Sequence, residues 1–403
     1  MPLFQPFAHY LAYMATDQQT FRDLRSLYGG LLVPGTIAAW QRQGTGGFVL
    51  SLSATEASPP YVIDPRFPLF QQKLPLVKQS HTALAEIFGD PKLVQTSTRP
   101  EADQFPSERL KALAEHWVAF NKNYGQTSID SFDKYAKRLG EETPVAADAA
   151  APEAILAPYF VADGINDPWW ERSKRLFDET LLAADGMPCL RVIAAEDVRA
   201  LDELLPDIPD KDVVVWVSGL DEYEALADDL SSYRHCLDAA RARGQRMFAL
   251  YGGFFSVLQA SVGLDGAAHG VGFSEHRQWR ELPKSGAAPA RFYMRRWHRH
   301  VPQDFAQILW TRDRSLCECT CPHCNGQSPN EMTYHDLMKH SVWCRQEEIN
   351  EWAMQASTVA ATALAQEFEK SSEALSTLML PPGVQGKGLK LIEHLPRWAK
   401  ALG

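Results

Sequence analysis

Cys317, Cys319, Cys321 and Cys324 fall within the stretch CECTCPHC, so four of the chain's seven cysteines occupy eight consecutive positions. Thiolates are soft metal ligands, and the C-x-C-x-x-C spacing of Cys319, Cys321 and Cys324 lets three of them converge on one ion from a tight loop whose turn Pro322 helps to fix. A structural zinc site is closed by four such ligands, and His335, His340 and Cys344 all follow within twenty residues of Cys324. His323 is too near in sequence to close the site comfortably, and Cys317 is either a bystander or an alternative ligand. A redox role for the same cysteines would want a strand-to-helix context that the surrounding residues lack. Cys189, Cys236 and Cys344 are scattered, and in a cytosolic chain of this size such residues are by default buried thiols.

Other residues carry chemistry in a looser pattern. Asp64 in YVIDP is either a working carboxylate or a turn residue before proline. Asp163 and Asp167 precede Trp169 and Trp170, whose rings suit stacking on a heterocycle as well as core packing. Glu275 with His276 offers an acid–base pair or contacts to a base edge; a solvated pair has the same composition. RFYMRRWHRH (291–300) interleaves cations and aromatics, as phosphate and base contacts do, and as a solvated face or a partner for acidic residues also does.

The elements that must position these residues are legible as a series. AILAPYFVA (154–162), CLRVIAA (189–195), DVVVWVSGL (212–220), RMFALYG (246–252), AAHGVGFS (267–274), ARFYMRRW (290–297) and QILWTR (307–312) are short apolar or β-branched runs. Helix-like stretches separate the first few, the pattern of parallel βαβ units buried on both faces. With GGFVLSLS (46–53) and YVIDP (61–65) the count suits a (β/α)8 barrel. A doubly wound open sheet competes, but no glycine-rich phosphate fingerprint follows the early strands. The expected divisions are an N-terminal part of the barrel over 1–141, a linker or surface insertion at 142–153, the remaining barrel over 154–312, and a zinc-binding subdomain with a C-terminal helix over 313–403. Residues 346–375 read as one long helix with a seam of Ile349, Trp352, Ala356, Val359 and Ala363, packed on its own domain or against a second copy of the chain.

Composition limits the partners. The 403 residues are 45% hydrophobic and 22% charged, as in soluble globular chains. No apolar run approaches a membrane span, and the start lacks a basic and then apolar leader pattern, which points to the cytoplasm. The net charge of −10 is concentrated: between Glu196 and Asp229 twelve acids face only Arg199 and Lys211, and the rest is balanced. Nucleic-acid binding requires an excess of Lys and Arg, so a nucleic-acid partner is disfavoured.

A C-x-C-x-x-C knot that follows barrel strands and precedes a C-terminal helix resembles the tRNA-guanine transglycosylase superfamily, whose members exchange guanine for 7-deazaguanine bases in tRNA, with relatives that act on DNA. LMKHSVW (337–343) places His340 where that family has its histidine ligand, with Ser341 in place of the usual Asn. The resemblance thus implies a Zn2+ site of Cys319, Cys321, Cys324 and His340, and it covers roughly residues 150–375. It also implies that Tyr251, Gly252 and Gly253 form a turn that lets backbone approach a planar base.

Two aspartates do the chemistry in that family, and the chain departs at both. Along LYGGFFSVLQASVGLDGAAHGVGF (250–273), Gly263, Asp265 and Ala268 fall on the family's G-x-D-x-F-D positions, so Ala268 stands where the nucleophile is expected. No D-S-G-G-F-Q occurs, which leaves Asp64 and Asp265 as the candidate catalytic carboxylates. The resemblance therefore implies a remodelled protein that recognises a 7-deazaguanine-type base, or a partner protein carrying one, through Trp169, Tyr251, Gly252, Gly253, Glu275 and His276. Divergent members of this kind resemble ancillary proteins of type IV CBASS anti-phage operons, where a nucleotidyltransferase partner is expected. The alternative is an active DNA- or tRNA-guanine transglycosylase with displaced carboxylates.

Overall fold

A computed structural model describes residues 2–4, 6–53, 59–95, 98–126, 134–135, 137–138, 151–272, 275–280 and 289–403. Nine strands run in parallel in one sheet: β1 (Ala8–Ala12), β2 (Gly30–Pro34), β3 (Tyr61–Asp64), β4 (Ile155–Leu156), β5 (Val161–Ala162), β6 (Cys189–Ala195), β7 (Asp212–Val217), β8 (Arg246–Ala249) and β9 (Leu264–His269). Pairing of β4 with β6 and of β9 with β1 closes eight of them into a ring, and β5 extends the edge of β6. The expected (β/α)8 barrel is thus present, and an open doubly wound sheet is excluded.

Side chains alternate across each strand. Tyr10, Leu32, Val62, Leu156, Val192, Val214, Phe248 and Ala268 fill the barrel interior, while Leu11, Val33, Ile63, Ile193, Val215 and Ala267 face the surrounding helices in a larger outer layer. Gly30 is fixed by this packing. A Cβ there would stand 2.3 Å from the Tyr10 ring on the neighbouring strand.

Several readings of the sequence are corrected. GGFVLSLS belongs to a helix, Arg42–Ser53; Phe48, Val49 and Leu52 are buried at helical spacing against the outer layer. QILWTR is the end of the helix Gln303–Arg312, with Phe305, Ala306 and Leu309 inward. RFYM is a strand, β10 (Arg291–Met294), but it pairs antiparallel with β11 (Arg299–Pro302) outside the barrel. AILAPYFVA divides into β4 and β5 because Pro158 between them has no N–H for the ladder. β1 and β2 complete the ring in place of these three runs, GGFVLSLS, QILWTR and ARFYMRRW. The segment read as one helix over 346–375 is two, Tyr334–Trp352 and the long Ser357–Thr377, separated where Ala356 turns extended to cap the second. Val359 lies 57% exposed, so Ala360 and Leu364 form the inward face instead. Residues 142–150 of the expected linker lie outside the described residues. Among the described residues no helix is long and apolar enough to cross a membrane.

Candidate functional site

Catalytic and binding groups in this fold sit at the carboxyl ends of the strands, and Asp64 is the last residue of β3. Alternation from Val62 turns it into the barrel interior, where it is fully buried. Oδ1 accepts from Tyr159 Oη at 2.8 Å and from the backbone N–H of Arg66 at 3.0 Å. Oδ2 accepts from Tyr251 Oη at 2.5 Å. Arg66 Nε approaches Oδ2 to 2.7 Å, an ionic contact whose angle falls short of a hydrogen bond, and Arg277 Nη1 stands 3.7 Å away. Burial alone would favour the neutral acid, but the Arg66 and Arg277 guanidiniums and the Tyr251 hydrogen bond outweigh it and hold the carboxyl below the usual range. Asp64 is therefore held as an ionised carboxylate, with both oxygens engaged by Tyr159, Tyr251 and Arg66.

Aromatic faces surround it. The Arg277 guanidinium lies 5.4 Å from the Trp216 ring centroid and 5.8 Å from that of Tyr251, and Arg66 lies 5.4 Å from Tyr251. Arg66 has φ of +53°, a left-handed conformation that is uncommon outside glycine; it lets the residue return both its N–H and its side chain to Asp64. A cavity of about 880 Å³ opens past the ends of β5 and β6, lined by Gln71, Arg99, Trp169, Glu196 and Trp279 among others and by none of the residues around Asp64.

Trp169 borders that cavity but is only 8% exposed and packs on Phe160 at 4.6 Å. Tyr251 is the one member of its turn that reaches Asp64. The Gly252 N–H is used by Ala268 O at 3.1 Å and the Gly253 N–H by Glu222 Oε2 at 3.0 Å, so neither amide is available as it stands. Glu275 is held by Arg345 Nη2 at 2.8 Å and Tyr223 Oη at 2.7 Å, within a buried polar layer between the barrel and the helix Tyr334–Trp352. His276 is half-buried on the same segment. Asp265 lies at the beginning of β9, where Oδ2 accepts from the Met247 N–H at 2.9 Å. That is the opposite end of the barrel from Asp64. Ala268 is fully buried in the barrel interior.

The cysteine loop builds a second centre. Cys319, Cys321 and Cys324 with His340 place three sulfurs and one imidazole nitrogen within 4.8 Å of one another, the one such group among the described residues. Cys321 Sγ stands 3.3 Å from both Cys324 Sγ and His340 Nδ1. Ligands about 2.3 Å from a tetrahedral zinc lie about 3.8 Å apart, so the donors need move only slightly to hold a metal ion. His340 Nε2 donates to Tyr293 O at 2.8 Å, which leaves Nδ1 as the lone-pair nitrogen facing the sulfurs. The helix is started by a capping box between Thr333 and Asp336, and this fixes His340 and Cys344 on the face toward the loop. Cys344 Sγ lies 3.7 Å from Cys319 Sγ, beside the group. Cys317 points away to Ala306 O, and His335 lies near Thr20.

RFYMRRWHRH folds largely inward. His298 lies between Glu348 (2.6 Å) and Glu367 (2.8 Å) and stacks on Phe254, and Arg295 pairs with Glu351. Of the alternatives for this stretch, Arg295 and His298 thus take that of a partner for acidic residues, which lie on the C-terminal helices and not in the acidic stretch 196–229.

The sequence reading missed Arg66, Tyr159, Trp216, Arg277 and Trp279. Only Arg66, two residues after Asp64, and Arg277, two after Glu275, had a local signal. No family model matches the chain, and no curated protein matches it. Among solved structures it is similar to a nitroalkane oxidase from Streptomyces ansochromogenes, with 12% identity over 88% of this chain and 89% of that one and a TM-score of 0.28. A score that low supports no conclusion about shared fold or chemistry, and none of these comparisons supports the transglycosylase resemblance.

Proposed function

We propose that the chain is a zinc-stapled barrel whose mouth recognises a planar, N–H-rich heterocycle of the 7-deazaguanine type, free or carried by a protein partner, without exchanging it into nucleic acid. The observation that supports this most is Asp64, an ionised carboxylate at a strand's carboxyl end, set among the Tyr159, Tyr251 and Trp216 rings. A carboxylate there can accept two parallel N–H bonds from an amino-pyrimidinone edge, and the aromatic walls suit a flat ring.

The lack of exchange is supported by what stands opposite. Displacing a base through a covalent intermediate needs a nucleophile, and Ala268 occupies the position where the resemblance expects one. Asp265, the remaining candidate, lies at the other end of the barrel. The concentrated negative charge over 196–229 also disfavours a tRNA or DNA acceptor. A protein partner bearing the base, such as the nucleotidyltransferase expected in anti-phage operons, would present the same chemistry to the mouth.

In the second centre, three thiolates and an imidazole suit zinc. When bound, the ion cross-links the loop to the helix Tyr334–Trp352, and with all four positions taken by protein it has none open for a substrate.

The test is a base-exchange assay with labelled guanine in tRNA and in duplex DNA. No incorporation is expected into either acceptor. Robust incorporation would overturn the reading in favour of an active transglycosylase.

A further inference from the structure

Residues 275–280 cross the open end of the barrel, and successive side chains are seated on different strand ends. Glu275 is fixed by Arg345 and Tyr223. Arg277 Nη1 donates to Tyr251 Oη at 3.1 Å, beside Asp64. Gln278 Oε1 accepts from Ser218 Oγ at 2.5 Å. The Trp279 N–H donates to the same hydroxyl at 2.9 Å, its carbonyl accepts from Gln72 Nε2 at 2.9 Å, and its indole N–H donates to Glu196 Oε2 at 2.5 Å. Trp279 is 3% exposed and belongs to the packed interior of the barrel. Asp64, Glu196, Ser218 and Tyr251 stand at or just after the ends of β3, β6, β7 and β8, so one short segment engages half the ring.

A guanidinium is the side chain nearest in shape to an amidine edge, being flat with a fork of N–H donors. Arg277 sets one nitrogen of that guanidinium, Nη1, 3.1 Å from the Tyr251 phenol and 3.7 Å from the Asp64 carboxylate, while the group lies near the Trp216 and Tyr251 rings, the surroundings a flat heterocycle would have. Trp279 adds an indole inside the same mouth. From this we infer that residues 275–280 are a resident plug: Arg277 and Trp279 occupy the place of the ligand, and a heterocycle reaches Asp64 only by displacing them. The plug is held by the buried indole, by hydrogen bonds to Ser218, Gln72 and Glu196, and by the largely buried Arg277–Asp64 ion pair, so lifting it costs free energy that a ligand must supply. Apparent affinity is lowered by the fraction of chains that are closed. Glu275 remains the anchor because Arg345, its partner, is buried on the helix that carries His340 and Cys344.

This inference rests on the mouth being the ligand site, and the experiment separates the two ideas. The intact chain, Arg277→Ala and Ser218→Ala are titrated with 7-cyano-7-deazaguanine by calorimetry, with hydrogen exchange of the peptide spanning 275–280 followed in parallel; thermal melting confirms that each variant is folded. Ser218→Ala loosens the plug without touching Asp64. The expected result is affinity at least tenfold tighter in both variants, with ligand raising exchange of 275–280 in the wild type. Equal affinity in all three, with exchange unchanged by ligand, overturns the plug and leaves the ligand site standing. No binding in any of the three, although exchange shows the segment released in the variants, overturns the ligand site and the plug with it.

Discussion

Tyr251 donates to Asp64 at 2.5 Å across the barrel mouth, joining the end of β8 to the end of β3. The pair stands within a buried set of two carboxylate-facing guanidiniums and two phenols, in which each charge depends on the others. Removing one partner of such a buried set leaves an uncompensated charge and costs about 3–5 kcal/mol.

Asp64→Asn should therefore lower stability by about 3 kcal/mol in urea unfolding, because it leaves Arg66 and Arg277 without their counter-charge. Arg277→Ala in the Asp64→Asn background should cost clearly less than it does alone, since neighbours in one network are not additive. Strict additivity would show that the two residues are not coupled.

Metal content should track individual cysteines. Cys324→Ser should release the metal, measured by elemental analysis of the purified protein, and lower the melting temperature, because a structural ion contributes folding energy directly. Cys317→Ser should retain it, since that thiol points to Ala306 O. His335→Ala should retain it as well. Equal loss in Cys317→Ser would contradict the assignment.

His298 sets a pH dependence. Burial by itself lowers its basicity, but Glu367 and Glu348 outweigh that and raise its pKa to about 9, against 6.5 for an ordinary imidazole. A group raised on folding stabilises fully below the unfolded value and loses that contribution as pH climbs through the folded one. The melting temperature should fall between pH 6.5 and 9. His298→Gln should flatten that fall; an unchanged slope would place its origin elsewhere.

Gly30→Ala tests the packing of the barrel. Its Cβ would meet the buried Tyr10 ring at 2.3 Å, and overfilling a packed core costs about 1–3 kcal/mol. Chemical denaturation should show a loss in that range, and no loss would mean that β1 and β2 can separate freely.

The barrel was legible because β6 to β8 are continuous apolar runs, as strands buried on both faces must be. β1 and β2 were not, since Ala8–Ala12 and Gly30–Pro34 are five residues each and mix His, Tyr and Gly with the aliphatics. GGFVLSLS misled for the converse reason: a short apolar run has no period that separates helix from strand, and only tertiary packing chose the helix. The Cys3His group that could hold a metal ion was readable because its cysteines are close in sequence. The Asp64 cluster was not, because Tyr159, Trp216, Tyr251 and Arg277 meet only when the ring closes. Asp64 and Asp265 looked equivalent as candidate carboxylates, and strand polarity is what separates them.

The most direct test of a ligand site at Asp64 is calorimetric titration of 7-cyano-7-deazaguanine into the wild-type chain and into Asp64→Asn, both confirmed folded at the working temperature. Saturable binding to the wild type, weakened at least tenfold by Asp64→Asn, is the predicted result. Binding of equal strength to both chains, or none to the wild type and none to a chain whose mouth has been opened by Arg277→Ala, would contradict it.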